Sequence, residues 1–189
     1  MNSINKLITM WLDELVDYKI TPYEELPDID LYMDQVITYL EKQLRIFEST
    51  SQDKQITSSM INNYVKGDVI PSPIKKKYNK SHIALILEIC ALKKVLSINQ
   101  IKALFDEQFK DNKFNEGFNK FKEIEDAYIN QIANETLNTI SKTSENNIDA
   151  LNDLALDLAI KAQVNLAISD RILFYVQKYK EKTEKKTKE

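Results

Sequence analysis

Hydrophobic residues recur every three or four positions along most of the chain, which is the spacing of amphipathic helices. The first such stretch is Ile4–Val16, and the second is Met33–Phe47. Two prolines lie between them and predict an irregular segment over Thr21–Asp28. We expect Asp28 or Asp30 to cap the second helix, because a carboxylate accepts hydrogen bonds from the free N–H groups at a helix start.

The middle of the chain carries shorter elements with sharper boundaries. Thr57 is a typical N-cap, and it predicts a short helix that ends at Gly67. Two prolines disfavour helix over Val69–Asn79, so this stretch is expected to be extended or hairpin-like.

Four more helices follow this segment. The first is predicted to begin at Asn79 or Ser81, and the second at Ser97. Two long apolar periodicities then predict helices over about Asn115–Ser141 and Asn147–Tyr179.

Glycine is scarce, at two residues in 189, and this favours long helices with few tight turns. The predicted fold is all-α: a winged helix-turn-helix-like head with at most a small β wing, followed by long C-terminal helices. We assign residues 1–27 to an N-terminal helix and acidic linker, packed on the head. Residues 28–109 form the helix-turn-helix domain, 110–180 the long helices of a dimerisation arm, and 181–189 a charged tail.

The residues that support most enzyme and metal chemistry are rare in this sequence. The chain has one cysteine, Cys90, and one histidine, His82, so a disulfide or a cysteine zinc cluster within one chain is excluded. No nucleophile or acid–base motif is visible, and we expect neither an enzyme, a metal nor a cofactor. We also expect no membrane association, because no apolar run reaches the length of a membrane span or a signal sequence. A cytoplasmic, bacterial protein is the expectation.

The charge distribution is more informative than the net charge of −3. Residues 1–53 hold eleven acids and four bases, whereas Lys54–Lys94 holds eight lysines against Asp68 and Glu88. A basic segment inside an acidic protein is typical of a local phosphate-binding surface.

The short helix and the extended segment after it provide the candidate site. On a helical wheel, four polar side chains lie opposite the apolar face of the helix: Ser59, Asn62, Asn63 and Lys66. Asparagine can bond the adenine edge, and serine and lysine can bond bases or phosphates, so we predict contacts to double-stranded DNA. Four residues of the extended segment complete the predicted DNA-binding set: Lys75, Lys76, Lys77 and Tyr78. For Tyr78, packing that fixes the wing is the stronger interpretation.

This stretch resembles the DNA-binding head of MerR-type regulators. The matching residues are Tyr64, Gly67, Val69–Pro71, Tyr78, and Leu96–Ile98 with Ile101. The resemblance implies a recognition helix followed by a wing. The sequence departs from that pattern at Asn62, where arginine is usual, and at Asn63, where tyrosine is usual.

A second resemblance is closer. Leu26–Ile37 and Met60–Tyr78 are similar to the uncharacterised bacterial family DUF1836, and the likeness extends over about Leu26–Phe109.

Two classes of function therefore stay open. The first is a transcriptional regulator that binds DNA as a homodimer through its long helices. The second is a protein–protein interaction module that keeps the fold without binding DNA, since the acidic N-terminal segment could cover the basic surface. A further alternative is an effector pocket between the head and the C-terminal helices, for which a sizeable apolar cavity would be needed.

Overall fold

The computed structural model describes residues 3–47, 56–110 and 113–186. The described chain is mostly helical, as predicted for an all-α fold. Its seven α-helices are α1 (Ile4–Asp17), α2 (Met33–Leu44), α3 (Ser58–Lys66), α4 (Lys80–Leu92), α5 (Ile98–Lys110), α6 (Phe114–Ser141) and α7 (Ile148–Lys186). Two single-turn 3₁₀ helices (Tyr23–Glu25 and Arg45–Phe47) and two short strands, β1 (Leu31–Tyr32) and β2 (Lys77–Tyr78), complete the fold. Polar residues predict a loop over Ser49–Asp53, and this stretch lies outside the described residues.

Helix α4 is the centre of the head. All of its residues from 82 to 90 are buried, which agrees with its nearly continuous apolar sequence. Side chains from the helices around it join the same core, among them Leu40 of α2, Ile61 of α3 and Ile101 of α5. Because these helices surround α4, its burial fixes the positions of α3 and of the β ribbon.

The two strands form an antiparallel ribbon in which Leu31 pairs with Tyr78, and Tyr32 pairs with Lys77. The small β wing is therefore confirmed, although its partner strand lies before α2. This strand explains why the predicted capping of α2 by Asp28 or Asp30 is wrong. The helix begins after Tyr32, whose backbone N–H donates to the Gln35 side chain at 2.9 Å.

Helix α1 packs along α6, and it reaches the head mainly through a hydrogen bond from Trp11 Nε1 to the Ile46 carbonyl at 3.4 Å. Leu12 of α1 is buried with Ala133 and Ile140 of α6. Asn5 adds two hydrogen bonds to the turn after α6, donating to the Thr143 carbonyl and accepting from the Asn146 N–H. The sequence predicted that this helix packs on the head; its buried apolar side chain, Leu12, lies against α6, and its contact with the head is at Ile46.

Helix α7 contacts the α1–α6 pair near its start and the head further along. Leu154 joins the α1–α6 cluster, Leu166 contacts the head core, and Gln100 Nε2 donates to Asp170 at 2.8 Å. Other positions along α7 leave large apolar side chains exposed: Ile160, Val164, Ile168, Ile172 and Val176. Ile172 and Val176 belong to the apolar periodicity that the sequence showed for this helix, and their exposure leaves them available to a partner. None of the described helices is long and apolar enough to cross a membrane.

Candidate functional site

Helix α3 is a short helix with well-defined ends. The Thr57 hydroxyl accepts a hydrogen bond from the Met60 N–H at 3.3 Å, which confirms the predicted N-cap. Ile61 and Tyr64 are buried on its inner face. The outer face is consequently held in one orientation by core packing rather than by its own polar side chains.

The four polar residues predicted for this outer face, Ser59, Asn62, Asn63 and Lys66, are all exposed. None of their side chains forms a hydrogen bond or an ion pair with another described residue. Two amides, a hydroxyl and an ammonium group are therefore available for an external ligand. The helix start is also partly free, because Thr57 satisfies only one of the first N–H groups.

The chain leaves α3 along a fixed path. The N–H of Gly67 bonds the Asn63 carbonyl, and the N–H of Val69 bonds the Tyr64 carbonyl, both at 2.9 Å. Gly67 ends the helix as predicted, but the left-handed residue is its neighbour Asp68, with φ of 52°. Lys102 Nζ donates to the Gly67 carbonyl at 3.1 Å and so ties α5 to the end of α3.

Lys75 and Lys76 form the tip of the hairpin between α3 and α4. Ile74 and Lys77 exchange two backbone hydrogen bonds, of 3.1 and 2.9 Å, around these two residues. Both lysines have positive φ, 51° and 65°, as in a type I′ turn, where Asn-Gly is preferred. Each non-glycine residue held there costs about 1 kcal/mol. The tip therefore places two exposed ammonium groups on a rigid but strained backbone.

Lys77 and Tyr78, which follow the tip, are less accessible for contact with DNA than the sequence predicted. Lys77 is half-buried, with Nζ 5.1 Å from the centre of the Tyr32 ring. Tyr78 is only 3% exposed and packs edge-on against His82, with ring centres 5.5 Å apart. Burial raises the pKa of the Tyr78 hydroxyl. We therefore remove Tyr78 from the candidate contact surface, since its ring belongs to the core and fixes the ribbon.

Asn79 and His82 join the ribbon to α4. The Asn79 side chain accepts from the His82 N–H, and His82 Nδ1 accepts from the Asn79 N–H, both at 3.2 Å. Of the two predicted caps for α4, Asn79 is the one observed. Burial lowers the pKa of His82, so the neutral imidazole is the form that completes this cap.

The acidic N-terminal segment contacts one end of the basic stretch. Lys80 Nζ pairs with Asp28 at 2.9 Å and donates to the Glu24 carbonyl at 3.1 Å. Lys80 therefore does not contribute a free charge to the surface. Lys54, which the sequence analysis also counted, lies outside the described residues.

Two other observations limit the chemistry of the described residues. The described residues contain no group of three or more histidine, cysteine or carboxylate side chains suited to hold a metal. Cys90 is buried, and burial raises the pKa of its thiol to about 11, as expected for a core residue.

Sequence reasoning missed Glu125, a half-buried carboxyl group on α6. It lies four residues after Phe121 and four before Ile129, on the inward face of the helix. This position in the helical wheel is the signal that could have found it.

The sequence matches the model of one protein family, described as Domain of unknown function (DUF1836), over residues 21–131. The match extends from before β1 into α6 and takes in α3 and the ribbon, and it covers more than half of the 189 residues. No curated protein matches the sequence, and no solved structure does. The resemblance that Leu26–Ile37 and Met60–Tyr78 indicated is confirmed at the level of this family. The chain belongs to the DUF1836 family.

Proposed function

We propose that the protein is a DNA-binding transcriptional regulator of MerR-like winged helix-turn-helix type. The observation that carries the proposal is the outer face of α3. Its four polar side chains are exposed and unpaired among the described residues, while Ile61 and Tyr64 anchor the opposite face in the core. A short, rigid helix with such a face suits the major groove of DNA, which has the width of a helix.

In this proposal the helix and the hairpin tip have different roles. Asn62 and Asn63 read base edges, since an amide can bond adenine with two hydrogen bonds. Ser59 and Lys66 bind bases or the adjacent phosphates. Lys75 and Lys76 grip the backbone and contribute affinity more than sequence preference, because phosphate contacts are common to all sequences.

The exposed apolar row of α7 supports a homodimer as part of this proposal. Helix-turn-helix proteins commonly bind two half-sites through a two-fold dimer. A second copy of α7 would cover Ile160, Val164 and Ile168, which are between 47% and 55% exposed.

The geometry differs in one respect from an ordinary helix-turn-helix unit. The turn in such a unit has about 3–4 residues, whereas residues 45–57 separate α2 from α3 here. In the proposal, α3 is therefore positioned by the packing of its buried face against α2 and the head core rather than by a tight turn.

A protein–protein interaction module is the alternative function. It is favoured by the Asp28–Lys80 pair, in which the acidic segment already neutralises part of the basic surface, and by the net charge of −3. A basic protein partner would then bind the acidic segment, and α3 would have no role in DNA contact.

Fluorescence anisotropy with random-sequence duplex DNA separates these functions. The wild type is compared with Lys75, Lys76 and Lys77 all changed to Ala, at low and near-physiological salt. The regulator predicts binding that weakens steeply with salt and that the triple variant loses. A control changes two exposed lysines elsewhere to Ala: Lys120 of α6 and Lys142, the residue after that helix. An absence of binding at low salt contradicts the proposal and favours the interaction module.

A further inference from the structure

A cavity of about 420 Å³ lies between α1, α6 and α7. Each helix contributes apolar side chains to its wall, including Leu12 from α1, Ile132 from α6 and Leu158 from α7. Small-molecule sites in proteins are concave, mostly apolar and about 300–1,000 Å³ in volume. This cavity has the size and the lining of such a site.

Glu125 contributes the one carboxyl group among the residues that line this apolar wall. Its Oε2 atom is inaccessible to solvent and has no hydrogen-bond partner among the described residues. Two other polar groups in the wall do have hydrogen-bond partners. The Thr136 hydroxyl donates to the Ile132 carbonyl at 2.7 Å, and Trp11 Nε1 donates to the Ile46 carbonyl. A buried acceptor without a donor costs about 1–3 kcal/mol. Because that oxygen has no solvent-accessible surface, a ligand in the cavity approaches Glu125 through the rest of its side chain, which lines the wall.

Unlike the neighbouring carboxylate, Glu125 has no ion-pair partner among the described residues. Asp126 Oδ2 forms a 2.7 Å ion pair with Lys122, one turn earlier on α6, although Asp126 Oδ1 is also buried without a partner among the described residues. No described lysine or arginine pairs with Glu125. Burial, and then the charge of Asp126, raise the pKa of Glu125 to about 7.

The cavity is open to solvent on one side. Trp11 and Tyr128 lie at this opening and are 46% and 59% exposed. A ligand can therefore enter without separation of the helices. Its apolar part would contact the leucines and isoleucines of the wall, and its polar end would reach the Glu125 carboxyl group.

We infer that this cavity binds an apolar small molecule that ends in one hydrogen-bond donor, an amine or an alcohol, with Glu125 as the acceptor. The inference does not rest on the proposed DNA binding, because the cavity is formed by other helices. Molecules that end in a carboxylate are disfavoured, because they bring a second negative charge to Glu125 and Asp126.

The only tryptophan of the chain, Trp11, lines this cavity and reports its occupancy. The experiment titrates the full-length protein with octylamine, 1-octanol and octanoate while recording tryptophan emission. Saturable blue shifts are expected for octylamine and 1-octanol, because the alkyl chain displaces water from the indole. Octanoate should bind at least several-fold more weakly.

Two variants test the site itself. Glu125→Gln should weaken octylamine binding roughly tenfold, since a hydrogen bond to a charged group is lost, whereas Glu123→Gln, an exposed neighbour, should change nothing. Ala155→Phe, in the cavity wall, should abolish binding of both probes while circular dichroism retains the helical signal.

Three results would overturn the inference. The first is an absence of saturable binding by the wild type, and the second is equal octylamine affinity in Glu125→Gln and the wild type. The third is a ligand-free emission maximum that shifts to the red on dilution, because a second copy of the chain would then be the occupant of the groove. These readouts contain no DNA, so their failure is separate from a failure of the proposed function.

Discussion

Tyr32 and Lys77 face each other across the β ribbon, with the Lys77 ammonium 5.1 Å from the centre of the tyrosine ring. The contact joins the strand before α2 to the strand after the hairpin tip, and so it holds the tip at a fixed distance from the core. It also withdraws one of the three consecutive lysines from solvent. The exposed charge of the tip is therefore concentrated on Lys75 and Lys76.

Replacing Tyr32 should weaken the ribbon. We expect Tyr32→Leu to lower the free energy of unfolding by about 0.5–1 kcal/mol, the size of an exposed cation–π contact. Urea denaturation followed by circular dichroism measures this change. Tyr179→Leu is the matched control, because Tyr179 is 70% exposed and has no ring contact in the described structure. Equal effects of the two substitutions would show that the contact contributes nothing.

The strain at the hairpin tip predicts a substitution that stabilises the protein. Lys75→Asn with Lys76→Gly introduces the residues that a type I′ turn prefers. The double variant should raise the free energy of unfolding by about 1 kcal/mol, because glycine adopts positive φ without a steric penalty. The control, Lys120→Asn on α6 with Lys142→Gly just after it, should not stabilise the protein, because neither lysine has positive φ. A destabilised double variant at the tip would contradict the observed turn geometry.

Alanine substitutions at two neighbouring positions of α3 should have different effects on the stability of the protein. Ile61→Ala should cost about 2–5 kcal/mol of stability, because it leaves a cavity in the core. Asn62→Ala should stay within about 0.5 kcal/mol of the wild type, yet it should weaken binding to a selected DNA sequence. Thermal denaturation and fluorescence anisotropy measure the two effects. A large loss of stability in Asn62→Ala would mean that this face packs against the chain.

Glu125 should make stability depend on pH. Its pKa is about 7 in the folded chain against an ordinary value of 4.5, so folding favours the protonated form. This contribution is complete below the ordinary pKa and is lost as pH rises through about 7. The neighbouring titratable groups are Asp126, already paired with Lys122, and the neutral Tyr18 hydroxyl, whose own pKa is raised by burial and by both carboxylates.

Glu125→Gln should remove that dependence. Between about pH 5 and pH 8, the wild type should lose on the order of 1–3 kcal/mol relative to this variant. Urea unfolding at several pH values measures the difference, and Glu123→Gln serves as the control. Parallel pH profiles for the wild type and Glu125→Gln would refute the raised pKa.

The local elements could be predicted from the sequence because their signals are local. Thr57, Asn79 and Ser97 cap the helices that they were expected to cap; Ser97 exchanges hydrogen bonds with Gln100. The exposed polar face of α3 also follows from helical spacing alone. The start of α2 was missed because β1 is only two residues long and depends on its pairing with β2.

Contacts between distant segments could not be predicted in the same way. The packing of α1 on α6 depends on two apolar faces that lie far apart in the chain. The Tyr32–Lys77 and Asp28–Lys80 contacts, which decide which lysines stay exposed, also join separate segments. Helical spacing identified an apolar stripe on α7, but it could not show which of its residues find a partner within the chain.

The most direct test of the central proposal is the salt dependence of DNA affinity for the wild type and for the stabilised tip variant, Lys75→Asn with Lys76→Gly. This variant removes two charges without unfolding the protein, so a loss of affinity cannot be attributed to misfolding. A regulator predicts that a plot of log affinity against log salt becomes shallower by about 1 to 2, since each phosphate contact contributes about 0.9. An unchanged slope and affinity would contradict a DNA-binding role for the hairpin tip.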